Sequence, residues 1–254
     1  MCALHPVYTL EDVEKALEHF SGVDCDVPTR VAPGVVVTWR EAGHILGSAL
    51  LEIDARERGS SRRIVFTGDL GRRDVPILKD PYQVPSADVL ITESTYGSRT
   101  HSSMDHVSDE LASFISEAIR RRGKIIVPSF AVGRTQRILY CVHELMRAGR
   151  IPEFPIYVDS PMAVRATKVF RKHAECFDSE MKELIARGDD PLGFSRVQYV
   201  MEASESKKLN RRPGPMMIVS ASGMCEAGRV LHHLKNNITR RKNAILIVGY
   251  QAEH

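Results

Sequence analysis

Short apolar runs closed by glycine, serine or proline recur along the chain, and their length and β-branched content predict strands. Val35-Val36-Val37-Thr38-Trp39 and Ala49-Leu50-Leu51-Glu52-Ile53 flank a tight loop, Gly43-His44-Ile45-Leu46-Gly47-Ser48. Ile64-Val65-Phe66 predicts a buried strand that stops at Thr67-Gly68-Asp69-Leu70-Gly71, and Ala87-Asp88-Val89-Leu90-Ile91-Thr92 predicts one that stops at Glu93-Ser94-Thr95-Tyr96-Gly97. The polar stretch Arg56 to Arg63 predicts the turn of a hairpin, and Arg72 to Pro85 a proline-bearing loop. Leu10, Val13, Ala16, Leu17 and Phe20 fall on one face of a helix with Thr9 as its cap and Glu11 and Asp12 in its first turn, a pattern that predicts scaffold. Met104 to Ile119 predicts an amphipathic helix, with Ser103 and Asp105 as cap residues.

From Gly123 onward one pattern repeats. Lys124-Ile125-Ile126-Val127 is followed by Pro128 to Arg134 and a helix from Thr135 to Arg147 with Ile138, Leu139, Val142 and Leu145 apolar. Pro155-Ile156-Tyr157-Val158 is followed by Asp159-Ser160-Pro161 and a helix through Val164, Val169 and Phe170. Met216-Met217-Ile218-Val219 is followed by Ser220 to Met224 and a helix from about Glu226 to Lys235, and Asn243 to Val248 supplies a further strand. Strand, loop and helix in succession imply right-handed crossovers and a parallel sheet, with its loops gathered at one edge.

The strand ends carry the candidate chemistry. A carboxylate at the carboxyl edge of a sheet stands where α/β proteins place ligands and metals, although an isolated Gly-Asp is as readily a turn cap. Two successive strands deliver Asp69 and Glu93 to equivalent positions, and a loop presenting His44 precedes both. Imidazole plus carboxylate is a donor set that suits zinc or another borderline divalent metal. The later loops offer Ser129 and Gly133, Ser160, and Ser220, Ser222 and Gly223 at helix entrances, where amide groups and the helix dipole favour an anion. Arg134, Arg165 and Arg229 follow in turn, each able to fork onto phosphate oxygens. The competing account is that βα turns need small residues and that arginine is a good helix former. His232-His233, adjacent within a helix, point in different directions and fit packing better than metal binding. Lys207, Lys208, Arg211 and Arg212 form a basic cluster suited to a track for an RNA strand.

The runs GHILGSALLEI, IVFTGDLGR and ADVLITESTYG, in that order, resemble the metallo-β-lactamase fold in its β-CASP branch, the nucleic-acid hydrolases that include ribonuclease J and the messenger-RNA 3′-end cleavage endonucleases. The similarity runs from about Tyr8 to Glu253. It implies that His44 binds one metal, that Asp69 bridges two zinc ions, and that Glu93 orients a histidine near the metals. The family's HxHxDH motif has an outline in His101-Ser102-Ser103-Met104-Asp105-His106, with Ser103 in place of the middle histidine. That segment follows Glu93 instead of preceding His44 and runs into a helix, so it is read as a helix entrance. The true motif is expected upstream of Met1 and two further histidine motifs beyond His254, making the chain an internal piece of a longer enzyme. The fold implied is α/β: part of a four-layered αββα metallo-β-lactamase domain over residues 1–104, followed over residues 105–254 by a β-CASP domain with a mainly parallel sheet flanked by helices. The activity implied is zinc-dependent hydrolysis of phosphodiester bonds in single-stranded RNA, in RNA processing or decay. Two rivals share parts of this pattern: a small-molecule hydrolase of the wider fold, and a non-catalytic RNA-binding subunit, which would typically have lost its metal residues. Homo-oligomer formation is compatible with any of them.

Bulk properties narrow the setting more than the activity. The 254 residues are 43% hydrophobic and 26% charged, ordinary for a globular chain with one large or two modest cores. A net charge of +3 does not announce a nucleic-acid binder, so any such surface must be local. Cys2, Cys25, Cys141, Cys176 and Cys225 lack CxxC pairing, which argues against a disulfide framework and a cysteine zinc site and for a reducing compartment. With no signal peptide and no long apolar run, a cytoplasmic location without membrane contact is expected.

Overall fold

The computed structural model describes residues 7–98, 100, 104–249 and 251, with Met104 and Asp105 described by their backbone alone. Two five-stranded sheets organise the chain. The first is built in chain order from β1 (Thr29–Ala32), β2 (Val35–Glu41), β3 (Ala49–Glu57), β4 (Ser60–Phe66) and β5 (Val89–Ile91). Its first four strands pair antiparallel and β5 adds to β4 in parallel, with Phe66 opposite Ile91. The polar hairpin turn is narrower than its composition suggests, because β3 and β4 run on until only Arg58 and Gly59 remain, both at positive φ. Two such residues match the right-handed twist of the strands they join.

The second sheet has the order β10 (Ala244–Ile245), β6 (Lys124–Pro128), β9 (Met216–Ser220), β7 (Ile156–Val158) and β8 (Val197–Tyr199), and every pairing in it is parallel. Each residue of β6, β7 and β9 is buried, as expected of central strands covered on both faces. The covering helices are α2 (Met104–Arg120), α3 (Arg134–Arg147), α4 (Pro161–Lys172), α5 (Ser179–Ala186), α6 (Ala203–Arg211) and α7 (Arg229–Asn237), after an N-terminal α1 (Leu10–Leu17). The charged segments around α5 and α6 concealed two helices and β8 from the periodicity.

Ile77 and Leu78, on the loop after the first sheet, are buried in the core formed by α2, α3 and the second sheet. The Ile77 carbonyl accepts from the Asp178 amide at 2.9 Å, and Leu78 bridges to Phe177. This strap fixes the first sheet's loops against the second.

Two expectations are corrected. Helix α1 forms with Thr9 and Asp12 in a reciprocal capping box, but its apolar face is not scaffold: none of its residues is buried and Leu10 is 83% exposed. β4 is only half buried, with Val65 inside and Phe66 exposed, and all three residues of β5 are exposed, because nothing among the described residues covers that edge. Ser103 and the side chain of Asp105 lie outside the described residues.

Candidate active site

The first site is assembled by backbone closeness. The His44 loop is tied to itself by Ser48, whose hydroxyl accepts from the amides of His44 and Ile45 at 3.2 Å each. At the loop entrance Glu41 accepts from the Gly43 amide at 2.8 Å, and burial pushes the Glu41 carboxyl up. The Asp69 loop then lies directly on it. Gly71 donates to the Ala42 carbonyl at 2.8 Å, and a Cβ on Gly71 would overlap the Gly43 carbonyl oxygen and the His44 amide. Only glycine permits that approach.

Asp69 and His44 consequently face each other, Oδ2 to Nε2 at 3.9 Å, with side chains 77% and 43% exposed. Glu93, at the end of β5, accepts from the Leu70 amide at 2.6 Å. The Thr95 hydroxyl, the Leu70 amide and the charge of His44 hold its carboxyl below the usual range, against a smaller effect of burial. Glu93 therefore remains an anion that positions the Asp69 loop. Thr67 completes the clasp: its amide bonds the Ile91 carbonyl at 3.0 Å and its hydroxyl lies 3.3 Å from that of Thr92.

An imidazole nitrogen and a carboxylate oxygen 3.9 Å apart are donor types that suit zinc or another borderline divalent metal. Among the described residues no group of three or more His, Cys, Asp or Glu side chains could hold a metal ion. His44 and Asp69 fit a metal as two donors of a larger set.

The second sheet's first loop abuts this edge. Gly133, at φ +76°, would place a Cβ 2.9 Å from Cγ2 of Ile45 in the His44 loop, and it opens α3 without a side-chain cap. Arg134 and Arg137, one turn apart on α3, are half-buried, and among the described residues no hydrogen bond or ion pair is found for either side chain. Burial pulls both guanidinium groups down, Arg137 to about 10 with Arg134 and Arg72 contributing. Tyr96, which follows Glu93, acts electrostatically on Arg134, as Arg72, which follows Asp69, does on Arg137. Arg137 was not singled out in the sequence, although its i, i+3 spacing from Arg134 placed it on the same face.

The other predicted phosphate contacts divide. Ser129, Ser160 and Ser220 are buried, and their hydroxyls bond within the protein: Ser129 to Thr135, Ser160 as the cap of α4 accepting from Ala163, and Ser220 donating to the Asp159 carbonyl. Their side chains do not face a ligand, because the loops turn these hydroxyls inward to satisfy chain ends. Ser222 has a buried hydroxyl with no hydrogen-bond partner, and Gly223 packs against Phe130. Arg165 is exposed on α4. Arg229 is corrected outright: it begins α7, three residues later than the spacing suggested, and forks onto Asp159 Oδ1 at 2.7 Å and the Met201 carbonyl at 2.6 Å. His233 is fully buried, with Nε2 2.6 Å from Asp159 Oδ2 and Nδ1 3.0 Å from Asn210 Oδ1, the packing role its helical position suggested.

Residues 135–254 match the Beta-Casp domain family. That match, together with the relatives below, agrees with the resemblance to the β-CASP branch seen in the three motifs. The chain is 36% identical over 248 residues to ribonuclease TTHA0252 of Thermus thermophilus, covering 98% of this chain and 56% of the relative. It is 32% identical over 255 residues to an RNase J-like protein of Methanocaldococcus jannaschii, covering 98% and 57%, and 31% identical over 246 residues to the transcription termination factor FttA of Methanosarcina mazei, covering 95% and 38%. The chain thus spans between 38% and 57% of the length of these relatives. The mixed sheet followed by a parallel sheet flanked by helices agrees with metallo-β-lactamase and β-CASP architecture. No described helix is long and apolar enough to cross a membrane, and Cys25, Cys141, Cys176 and Cys225 are free thiols.

Proposed function

We propose that this chain forms part of a metal-dependent ribonuclease that hydrolyses phosphodiester bonds of single-stranded RNA, with zinc as its metal. The observation that carries this is the juxtaposition of an exposed His44–Asp69 pair with two half-buried arginines for which no ion pair is found among the described residues. A zinc ion bound there would supply Lewis acidity to a phosphoryl oxygen. His44 and Asp69 are the residues of this chain that would hold it. Glu93 fixes the loop through the Leu70 amide, so the Asp69 carboxylate keeps one orientation. Arg134 and Arg137 bind the phosphate oxygens; their missing counter-charge is what an RNA strand brings, and their burial strengthens the attraction. A non-catalytic subunit would have no use for an intact, exposed imidazole–carboxylate pair. The names of the relatives, ribonuclease and RNase J-like protein, support the hydrolytic reading.

Single-turnover cleavage and filter binding on Asp69→Ala, in the enzyme that contains this chain, test the proposal. Cleavage should fall by orders of magnitude while RNA binding changes little, because the arginines lie on α3 and not on the Asp69 loop. Cleavage within a few-fold of the parent would make Asp69 a turn cap and remove the proposal.

A further inference from the structure

The opposite edge of the second sheet has chemistry of its own. Where β6, β9 and β10 begin, a cavity of about 130 Å³ has Arg122, Lys124, Arg211, Arg212, Arg240 and Lys242 in its lining and, among the described residues, no acidic one. These cations come from four separate segments: the turn after α2, the start of β6, the end of α6 and the turn before β10. Arg122, Arg211, Arg240 and Lys242 are exposed, and among the described residues no ion pair or side-chain hydrogen bond is found for them; Arg212 lies over the ring of Tyr157 at 5.4 Å.

At the floor sits Lys124, 5% exposed. Its ammonium donates to the carbonyls of Leu209 and Asn210 at 2.6 and 2.8 Å, in the last turn of α6. Those are orphan helix-end acceptors at the negative end of the dipole, which explains how a buried cation is tolerated. Two of its three N–H groups are thereby used, and one remains. Burial, Arg240 and Lys242 together lower the Lys124 amine to about 8. Six cations crowded around one concavity repel each other, and an anion in the cavity would relieve all of them.

We infer that this cavity is a second phosphate site, holding a phosphoryl group of the same RNA strand at the edge of the sheet remote from His44 and Asp69. The inference rests on the RNA reading above. The parallel sheet separates the two edges, since every strand in it runs from this cavity towards the Ser129, Asp159 and Ser220 loops. RNA must therefore be long enough to pass along the domain to occupy both sites. The cluster Lys207, Lys208, Arg211 and Arg212 is continuous with the cavity through α6.

The experiment is fluorescence anisotropy across a salt series with two labelled RNAs, one short enough to fill the first edge alone and one able to span the sheet. Unlabelled inorganic pyrophosphate serves as competitor. In the double variant Arg240→Gln, Lys242→Gln the long RNA should bind about tenfold more weakly, the size of one lost hydrogen bond to a charged group, with a flatter salt slope. The short RNA should be unaffected and remain sensitive to Arg134→Ala. Arg211→Gln repeats the test from the other wall. All three substitutions are on exposed side chains, and matching melting curves establish that the fold is kept. Unchanged long-RNA affinity in both variants overturns the inference. If pyrophosphate binds the parent but not the variants while long RNA binds both equally, the cavity takes a free phosphate anion, which also overturns it. Failure of the short RNA to bind the parent would instead remove the RNA reading itself.

Discussion

Two aspartates, each closing a strand of a parallel pair, meet opposite fates. Asp69 follows β4 and is 77% exposed, with His44 at 3.9 Å as its facing group. Asp159 follows β7 and is fully buried, with the Ser206 hydroxyl, the Arg229 guanidinium and the His233 imidazole all on its carboxylate. In the sequence the two look alike: an apolar run, then a carboxylate within a few residues, among turn-forming residues. What separates them is whether α6 and α7 deliver partners. Over β7 they do, and the carboxylate becomes the centre of a buried polar knot. At the end of β4 the glycine contact brings a loop backbone and one imidazole, and among the described residues no hydrogen-bond donor is found on the carboxylate. A strand-end acid is thus available for chemistry to the extent that the fold leaves it without donors.

Removing Asp159 should test this contrast most severely. Asp159→Ala strands Arg229 and His233 without their anion and should cost about 3–5 kcal/mol in urea denaturation, the usual range for breaking a buried pair. The same group sets an acid limb. Burial alone would raise its pKa, but hydrogen bonds from His233, Ser206 and Arg229 outweigh that and hold the carboxyl below its ordinary value. An unfolded aspartate titrates near 3.9, so the stabilisation is complete above about pH 4 and is lost as pH falls through the lower folded value. Stability of the parent measured across that range should slope downward toward acid, and Asp159→Ala should flatten the slope. A variant with the parent's stability and acid limb would show the knot to be inert.

Next in size is Gly71→Ala. The added methyl must displace the Gly43 carbonyl, costing about 1–3 kcal/mol as overpacking does and parting the Asp69 loop from His44. Cleavage should fall much further than stability. Equal cleavage in a folded variant would mean that this contact does not set the His44–Asp69 geometry.

Confined to binding, Arg137→Ala should weaken short-RNA affinity by about 1–3 kcal/mol and reduce the salt slope by roughly one phosphate's share, less than the loss of cleavage expected for Gly71→Ala. Arg165→Ala, an exposed arginine on the next helix, should do little. Reversal of that order would move the phosphate path to α4. The smallest expected effect closes the comparison: Asp69→Ala should alter thermal stability by no more than about 0.5 kcal/mol, as for an exposed residue without a buried partner.

Periodicity and turn chemistry in the sequence were enough for every strand but β1 and β8, for the parallel sense of the second sheet, and for the placement of His44, Asp69 and Glu93 in the loops that close strands, because those depend on short-range backbone preferences and on which runs are apolar. The capping box of Thr9 was legible for the same reason. The partners were not. That Arg229 serves Asp159 and not phosphate, that Ser129, Ser160 and Ser220 turn inward, and that Arg137 joins Arg134 beside Asp69 depend on helices crossing over strands far apart in the chain. The basic cavity is the extreme case: residues 122, 124, 211, 212, 240 and 242 lie up to 120 positions apart and meet because three parallel strands start side by side. Local sequence specifies which groups stand at the ends of elements. Only tertiary packing decides which of them are neutralised by one another and which are left with unspent charge for a ligand.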